Sequence, residues 1–221
     1  DESSLDILVR LSQELTTYPV LIVALTRPTL FERRSSWIPD AIHTQMSLQP
    51  LSHQASVYLV GEVLQKIHNI PKALQDLIIS NAEGNPFYLE ELVKMLLEHE
   101  VIVKGKPHWY VNLDRLGEAH IPSTLTGIIQ ARLEGLPIGE RTILQQASAI
   151  GRVFWDASVQ YVHQSACMEE NRESLEVLDI LSSVQQREMI YSRDASAFSF
   201  AVEYIFKHSI MRDVIYESVL I

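Results

Sequence analysis

Apolar and polar residues alternate with two different periods along the chain, and the first block already contains both. Apolar residues at helical spacing over Leu5–Leu15 precede Pro19–Leu25, a continuous apolar run rich in β-branched residues. Such a run is typical of a strand buried on both faces of a parallel sheet, so we expect a helix followed by a buried strand. The segment Thr26–Asp40 carries two prolines and an arginine pair, which predicts a loop, and His43–Leu48 alternates as a further short strand would.

The middle of the chain changes to helical spacing. Serine or proline stands before each apolar stripe, as at helix starts, and Gly84 and Gly135 stand where stripes end. The predicted helices are Ser52–Ile67, Pro71–Gly84, Pro86–Leu97 and Ser123–Leu133. Between the last two, Val101–Val111 places a glycine and a proline between short apolar runs, which indicates a hairpin.

The last block, from Ile138, combines helical stripes with two short β-like runs. The predicted helices are Glu140–Ile150, Ala157–His163, Arg172–Arg187 and one starting at Ser209, and the predicted strands are Met189–Arg193 and Val202–Lys207. Three helices followed by a two-stranded wing are the pattern of a winged-helix domain.

We therefore expect a mostly α fold with a small α/β remnant, in three domains. Residues 1–48 would be the end of an α/β sheet, residues 49–136 a helical bundle with a hairpin, and residues 137–221 a winged-helix domain. The chain begins at Asp1 without methionine and ends at Ile221 inside an apolar run, so we expect it to be a piece of a longer protein.

Composition narrows the class of protein. With 47% hydrophobic and 21% charged residues among 221, the chain can bury a core and is not disordered. No apolar run approaches the roughly 20 residues that span a bilayer, so no membrane partner is expected. The single cysteine, Cys167, excludes an internal disulfide and a cysteine-rich zinc site, which favours a reducing, cytoplasmic location.

Charge and motifs exclude several activities. The net charge of −10 disfavours binding along a nucleic-acid backbone but leaves room for one local site for a small anion. The chain contains no G-x-S-x-G, H-E-x-x-H or P-loop signature, since Gly105-Lys106 is followed by Pro107. No two histidines lie three to five residues apart. We therefore predict neither a catalytic residue nor a metal site.

Three short stretches could contact a ligand, and each also has a simpler interpretation. Arg27 directly follows the predicted strand, where open α/β sheets place ligand contacts, but it could instead pair with a carboxylate on a solvated loop. Gly84 and Pro86 lie in Glu83–Phe87, which is either a tight corner or a flat face for a planar ligand. His208 precedes the last helix, where it is either an anion ligand or a cap.

Seven motifs, taken in order, carry a resemblance to a known family. They are Asp1–Asp6, Val23–Pro28, Leu48–Ser52, Ala82–Leu92, Ile121–Pro137, Gln146–Phe154 and Tyr204–Ser218. Together they resemble the nucleotide-binding module of STAND-type ATPases, a branch of the AAA-like P-loop NTPases. The most similar members are attached to class III adenylate cyclases and to large bacterial transcriptional regulators.

The resemblance implies roles for four residues toward ATP and ADP. Arg27 would sense the terminal phosphate of ATP, Gly84 would shape the turn, and Pro86 would lie against adenine. His208 would reach the β-phosphate of ADP and hold the winged-helix domain closed. The Walker A lysine and the Walker B acids that order Mg²⁺ are absent from the sequence and are implied upstream. Alone, this part would neither hydrolyse ATP nor bind it tightly.

The resemblance also implies the partners. They are the nucleotide, the P-loop core of the parent chain, with an adenylate or guanylate cyclase as one candidate fusion, and a downstream sensor or output domain. A nucleotide-dependent oligomer is a further possibility, and direct nucleic-acid binding is not expected. Two other functions stay open. One is a DNA-binding winged-helix protein whose recognition helix would be Glu170–Arg187, a segment rich in acidic residues. The other is a non-catalytic helical adaptor for protein partners.

Overall fold

The computed structural model describes residues 2–34, 44–170 and 176–219. Within these ranges the chain is mostly helical, with two small antiparallel sheets. Its internal contacts divide it into two units, one that ends at Gln49 and one that begins at Pro50.

The first unit contains two helices, α1 (Glu2–Glu14) and α2 (Thr29–Arg33). No residue of α1 is buried. Arg34, at the end of α2, bonds to Glu2 at 2.5 Å and to Asp6 at 2.9 Å and so connects the two helices.

The buried strand predicted over Pro19–Leu25 is not formed. This segment has no regular secondary structure, and its side chains are exposed, with Leu21 at 87% and Leu25 at 91%. A strand requires a neighbour that bonds its N–H and C=O groups, and no described residue pairs with this segment. The sheet remnant predicted for residues 1–48 is therefore absent from the described part of the chain. Residues 44–48 also form no strand, and His43 lies outside the described residues.

The second unit begins with a helical half that contains the four predicted helices and one short helix, α6, that was not predicted. Its helices are α3 (His53–Val63), α4 (Lys72–Ala82), α5 (Pro86–Glu98), α6 (Leu113–Glu118) and α7 (Leu125–Glu134). Ser52 caps α3 as predicted, because its hydroxyl accepts from the Ala55 amide at 3.2 Å. The cap of α7 is Thr124 and not the predicted Ser123, since Thr124 Oγ1 accepts the Gly127 amide at 3.0 Å.

The predicted hairpin is confirmed. Strands β1 (Ile102–Val103) and β2 (Tyr110–Val111) pair antiparallel, with Ile102 opposite Val111. Ile102 is 1% exposed and joins the apolar core that α3, α4, α5 and α7 share, so the hairpin is anchored to the helices.

The rest of the second unit alternates helices and short strands. The elements are α8 (Ile138–Ile150), β3 (Val153–Trp155), α9 (Asp156–Glu170), α10 (Val177–Gln186), β4 (Ile190–Ser192), β5 (Glu203–Phe206) and α11 (Ser209–Glu217). The strands form one antiparallel sheet in the order β3-β5-β4. Strand β3 was not predicted, and Arg172, where a helix was expected to start, lies outside the described residues. A second apolar core fills this half of the unit.

Candidate functional site

The turn between α4 and α5 has the backbone that its sequence predicts. Glu83 and Gly84 adopt left-handed conformations, with φ of 47° and 77°, which end α4. The Asn85 side chain accepts two amides of the next turn at 3.0 and 3.3 Å, and Pro86 occupies the first position of α5. The predicted helix stop at Gly84 and helix start at Pro86 are thus confirmed.

Gly84 is also required by a close backbone contact. The Leu51 amide donates to the Gly84 carbonyl at 2.8 Å, which ties the turn to the start of α3. A Cβ on Gly84 would lie 2.5 Å from the Leu51 carbonyl oxygen, well inside contact distance. Any other residue would therefore both strain the turn and push α3 away.

Pro86 is exposed and lines an open groove on the same side of the turn. The groove has a volume of about 720 Å³, and its other lining residues are Leu51, Ser52, Gln54, Ala55, Tyr58 and Leu59. Tyr58 is 70% exposed, so an aromatic ring and a proline ring both face solvent here. An apolar wall with exposed rings can accept one face of a planar ligand.

His208 lies directly beside the residue that follows Pro86. It precedes α11, but its side chain makes no capping hydrogen bond. Its ring instead packs on Phe87, with ring centroids 3.8 Å apart and an interplanar angle of 44°. The structure therefore brings the α4–α5 turn and the late histidine together, although 120 residues separate them in sequence.

The His208 imidazole is a polar group with unused bonding capacity. Its Nε2 atom is buried and has no hydrogen-bond partner among the described residues. Burial lowers the pKa of His208 below its ordinary value, the adjacent Lys207 ammonium lowers it further, and nearby glutamates only partly oppose these effects. The ring is therefore mainly neutral at pH 7 and can donate or accept one hydrogen bond through Nε2.

Five charged residues, which we call the junction cluster, lie next to this contact. They are Glu90, Glu91, Lys94, Glu188 and Lys207. Lys94 bonds to Glu90 at 2.9 Å, to Glu91 at 3.3 Å and to Glu188 at 2.7 Å. Lys207 bonds to Glu90 at 2.5 Å and to Glu188 at 3.4 Å. The cluster thus joins α5 to the segments just after α10 and β5.

The residues of the junction cluster shift one another's pKa values. Burial alone would raise the pKa of Glu90, but hydrogen bonds from Lys207 and Lys94 outweigh it and lower the pKa to about 2. The pKa of Glu188 is also lowered, chiefly by its hydrogen bond with Lys94. Burial would lower the pKa of Lys94, but its carboxylate partners raise it above its ordinary value. All three groups are therefore ionised at neutral pH.

A fully buried arginine extends the charged region into the core. The guanidinium of Arg132, on α7, bonds to Glu91 and to Glu98, the latter at 2.7 Å. It also donates to the Arg187 carbonyl at 3.0 Å. The side chains of Arg132 and Glu91 are both 0% exposed, so Arg132 needs the carboxylates of Glu91 and Glu98, and Glu91 needs the cations of Arg132 and Lys94.

Arg27 belongs to the first unit, between the exposed apolar segment and α2. It is exposed, and its carbonyl accepts the Leu30 amide at 3.0 Å. Its guanidinium makes no hydrogen bond or ion pair with any described residue, so the loop ion pair considered from the sequence is not formed there. Its role toward a phosphate stays a prediction.

The sequence pattern identified the turn and His208 but missed the charged residues that join them. Glu90, Glu91 and Lys94 have the three- and four-residue spacing of helix ion pairs, which was a usable signal. Arg132 stands within an apolar helical stripe, next to Leu133, which is the pattern of a buried charge. Their partners Glu188 and Lys207 carry no comparable signal, because they come from distant segments.

Within residues 2–34, 44–170 and 176–219, no group of three or more His, Cys, Asp or Glu side chains is placed to hold a metal ion. No helix in these ranges combines the length and the apolar character that crossing a membrane requires. No protein-family model matches this chain, and no curated protein matches it at a significant level.

Proposed function

We propose that this chain is the helical and winged-helix part of an ATP- and ADP-binding signal-transduction ATPase of the STAND type. It acts as a nucleotide-dependent switch and is not catalytic by itself. The proposal rests on the ordered motifs in the sequence and on one structural observation, the contact between Phe87 and His208. That contact places two of the motifs implied to bind nucleotide in one neighbourhood.

The topology of the last half supports the winged-helix assignment. A helix, a strand, two helices and a two-stranded wing follow in that order, α8-β3-α9-α10-β4-β5. The first strand pairs with the last one, so the sheet order is β3-β5-β4. The sequence predicted three helices and a two-stranded wing. The structure contains these elements and adds the strand β3 to the wing.

The residues present are compatible with a bound adenine nucleotide. The groove beside Pro86 can accept a flat ring, and the buried Nε2 of His208 has a free position for one hydrogen bond. In the junction cluster three carboxylates already compensate the two ammonium groups, so little positive charge is left for phosphates. This explains why we expect tight binding only with the P-loop lysine and Mg²⁺ that the resemblance implies upstream.

The switch would act through the contacts between the two halves of the second unit. Phe87 with His208, Lys94 with Glu188, and Arg132 with the Arg187 carbonyl all cross from one half to the other. A nucleotide that binds better when these contacts are closed shifts the equilibrium toward the closed form, by no more than its difference in affinity. We expect ADP to favour the closed form and ATP to favour the open one.

The test compares nucleotide affinities of the longer chain that includes the residues upstream of Asp1, with His208→Ala and, as a matched control, the exposed His120→Ala. Isothermal titration calorimetry should show ADP affinity reduced about 10-fold or more in His208→Ala, because a hydrogen bond to a charged group is lost. ATP affinity should change little, and His120→Ala should bind both nucleotides normally. Unchanged ADP affinity in a correctly folded His208→Ala chain would contradict the proposal.

The described residues favour this proposal over DNA recognition. Helix α10 carries no lysine or arginine, and Asp179 lies in its first turn. Arg187, just after it, is held by Glu140 at 2.8 Å. A helix without free cations has no means of displacing the counterions of a phosphate backbone. Salt-dependent binding of duplex DNA to this chain at physiological ionic strength would reverse this preference.

A further inference from the structure

A second charged surface lies around the hairpin, away from the junction cluster. We call it the hairpin patch, and it consists of Lys66, His68, Lys104, Lys106, His108 and Trp109. The Nζ atoms of Lys66 and Lys104 lie 5.1 and 5.6 Å from the centroid of the Trp109 ring. The rings of His68 and His108 are 5.8 Å apart. Two ammonium groups thus lie over one indole, and the same two segments bring a pair of imidazoles together.

The patch brings lysines together without a carboxylate among its own residues. None of its lysines forms an ion pair with the described residues, and the segments 64–72 and 101–111 contain no Asp or Glu. The chain as a whole carries a net charge of −10. A local excess of cations on an acidic protein is not explained by solubility, which the overall charge already secures.

The fold holds these side chains in a fixed frame. The Trp109 amide donates to the Lys66 carbonyl at 2.9 Å, and Ile67 forms a β-bridge with Trp109. Ile67 and Ile102 are both buried in the core of the helical half. The segment that follows α3 and the hairpin are therefore tied together through their backbones, so the residues that carry the cations are positioned before any ligand arrives.

We propose that the hairpin patch binds an acidic peptide segment of a protein partner. The exposed Lys66, Lys104 and Lys106 would pair with carboxylates spaced along an extended chain, and the imidazole N–H groups of the two histidines can donate further hydrogen bonds. Charge complementarity favours this partner. The patch is compact and carries only a few cations, which a short acidic segment is able to match. This inference does not depend on the nucleotide proposal.

Two other polyanionic partners fit the patch less well. Single-stranded nucleic acid needs an open aromatic face for base stacking, but Trp109 is only partly exposed and ammonium groups lie over its ring. A membrane surface needs protruding apolar side chains beside the cations, and in the patch only the neighbouring Tyr110, at 56% exposure, comes close to this role. An acidic peptide needs only the ammonium groups and N–H donors that the patch provides, so it remains the partner that we propose.

The test measures binding of a labelled peptide of about 12 residues in which Glu and Ser alternate, by fluorescence anisotropy at about 50 mM salt, where exposed charges are weakly screened. A peptide with Gln in place of Glu is the neutral reference. The chain should bind the Glu peptide about 10-fold more tightly than the Gln peptide. The triple variant Lys66→Gln, Lys104→Gln, Lys106→Gln should lose this difference.

Lys72→Gln is the matched control, since Lys72 is exposed, makes no ion pair with the described residues and lies outside the patch. It should retain the preference for the Glu peptide within about twofold. Equal binding of the Glu peptide to the original chain and to the triple variant would overturn the proposal. Tighter binding of a thymidine oligonucleotide, or of phosphatidylserine vesicles, would overturn it as well and would assign the patch to that other partner.

Discussion

The junction cluster and the hairpin patch use lysine in opposite ways. Lys94 and Lys207 are 14% and 9% exposed, and both bond to Glu90 of α5 and to Glu188, which follows α10. Lys66, Lys104 and Lys106 are exposed and have no carboxylate partner in the described part of the chain. The same side chain therefore contributes to the fold in one region and is free for a ligand in the other.

The difference arises from which elements the fold brings near each lysine. The α5 helix presents two glutamates beside Lys94, and Lys207 reaches the same carboxylates from the end of β5. The hairpin instead packs its apolar side against the helices, and its Lys104 lies over the Trp109 indole. Buried charges need partners and exposed ones do not, so substitutions should separate the two regions clearly.

Removal of Arg132, whose guanidinium bonds to the most buried carboxylate of the junction cluster, has the largest expected effect. Arg132→Ala should lower the free energy of unfolding by about 3–5 kcal/mol, because Glu91 is left buried without its guanidinium partner. Urea denaturation measures this. The control is Arg10→Ala, which breaks a pair whose arginine is 81% exposed and should change stability by less than about 0.5 kcal/mol. The double variant Arg132→Met, Glu91→Leu should recover most of the loss.

A smaller effect is expected for a single lysine of the cluster. Lys207→Met should lower the free energy of unfolding by about 1–3 kcal/mol, because Glu90 and Glu188 lose one of their two cations. The same change at Lys66 in the hairpin patch should stay within about 0.5 kcal/mol. Equal losses for the two variants in urea denaturation would refute the contrast between the regions.

The dependence of stability on pH should also differ between the junction cluster and the hairpin patch, with a smaller effect than the substitutions above. The folded pKa of Glu90, about 2, lies below its ordinary value of 4.5, so the unfolded chain binds more protons between these values. The contribution of Glu90 to the free energy of unfolding is therefore fully present above pH 4.5 and is lost as the pH falls toward 2. Lys207→Met should weaken this dependence, and Lys66→Met should leave it unchanged. Urea midpoints measured between pH 5 and pH 2 check it, and identical slopes for all three chains would speak against the coupling.

The smallest effect is expected for the hairpin patch itself. In urea denaturation, the triple variant Lys66→Gln, Lys104→Gln, Lys106→Gln should keep the free energy of unfolding of the original chain within about 0.5 kcal/mol, while losing the preference for acidic peptides. Binding and stability are thus separated in this region and not in the junction cluster. A stability loss above about 1 kcal/mol would show that the hairpin lysines have a structural role.

Local structure was well predicted where the determinants are neighbours in sequence. The Ser52 cap, the Gly84 stop and the Pro86 start depend on side chains within a few residues, and the structure confirms all three. The cap of α7 was predicted at Ser123 and lies at Thr124. This is an error of one residue between two hydroxyl side chains that can both cap a helix.

Pairing across long distances in sequence was predicted poorly. The apolar run Pro19–Leu25 has the composition of a buried strand, yet it is exposed because no described strand lies beside it. Strand β3, only three residues long, was missed because its partner β5 is about 50 residues away and nothing in Val153–Trp155 indicates that pairing. In both cases hydrogen bonds to a second segment decide the outcome.

The candidate site divides in the same way. Gly84, Pro86 and His208 were identified from residue type and motif, but Phe87 and Lys207, which complete their surroundings, were not. The hairpin patch was also missed, because His68 and His108 lie 40 residues apart in sequence and meet only through the bridge between Ile67 and Trp109.

By itself, the sequence determined most of the longer helices, the Ser52 cap, the tight corner before α5 and the hairpin, because periodicity and short-range hydrogen bonds act within about a dozen residues. Only the tertiary structure decided which cations are buried with carboxylates and which remain free, and which ring His208 contacts. Charge compensation and ring packing act through space between distant segments, so they depend on how the apolar cores bring those segments together.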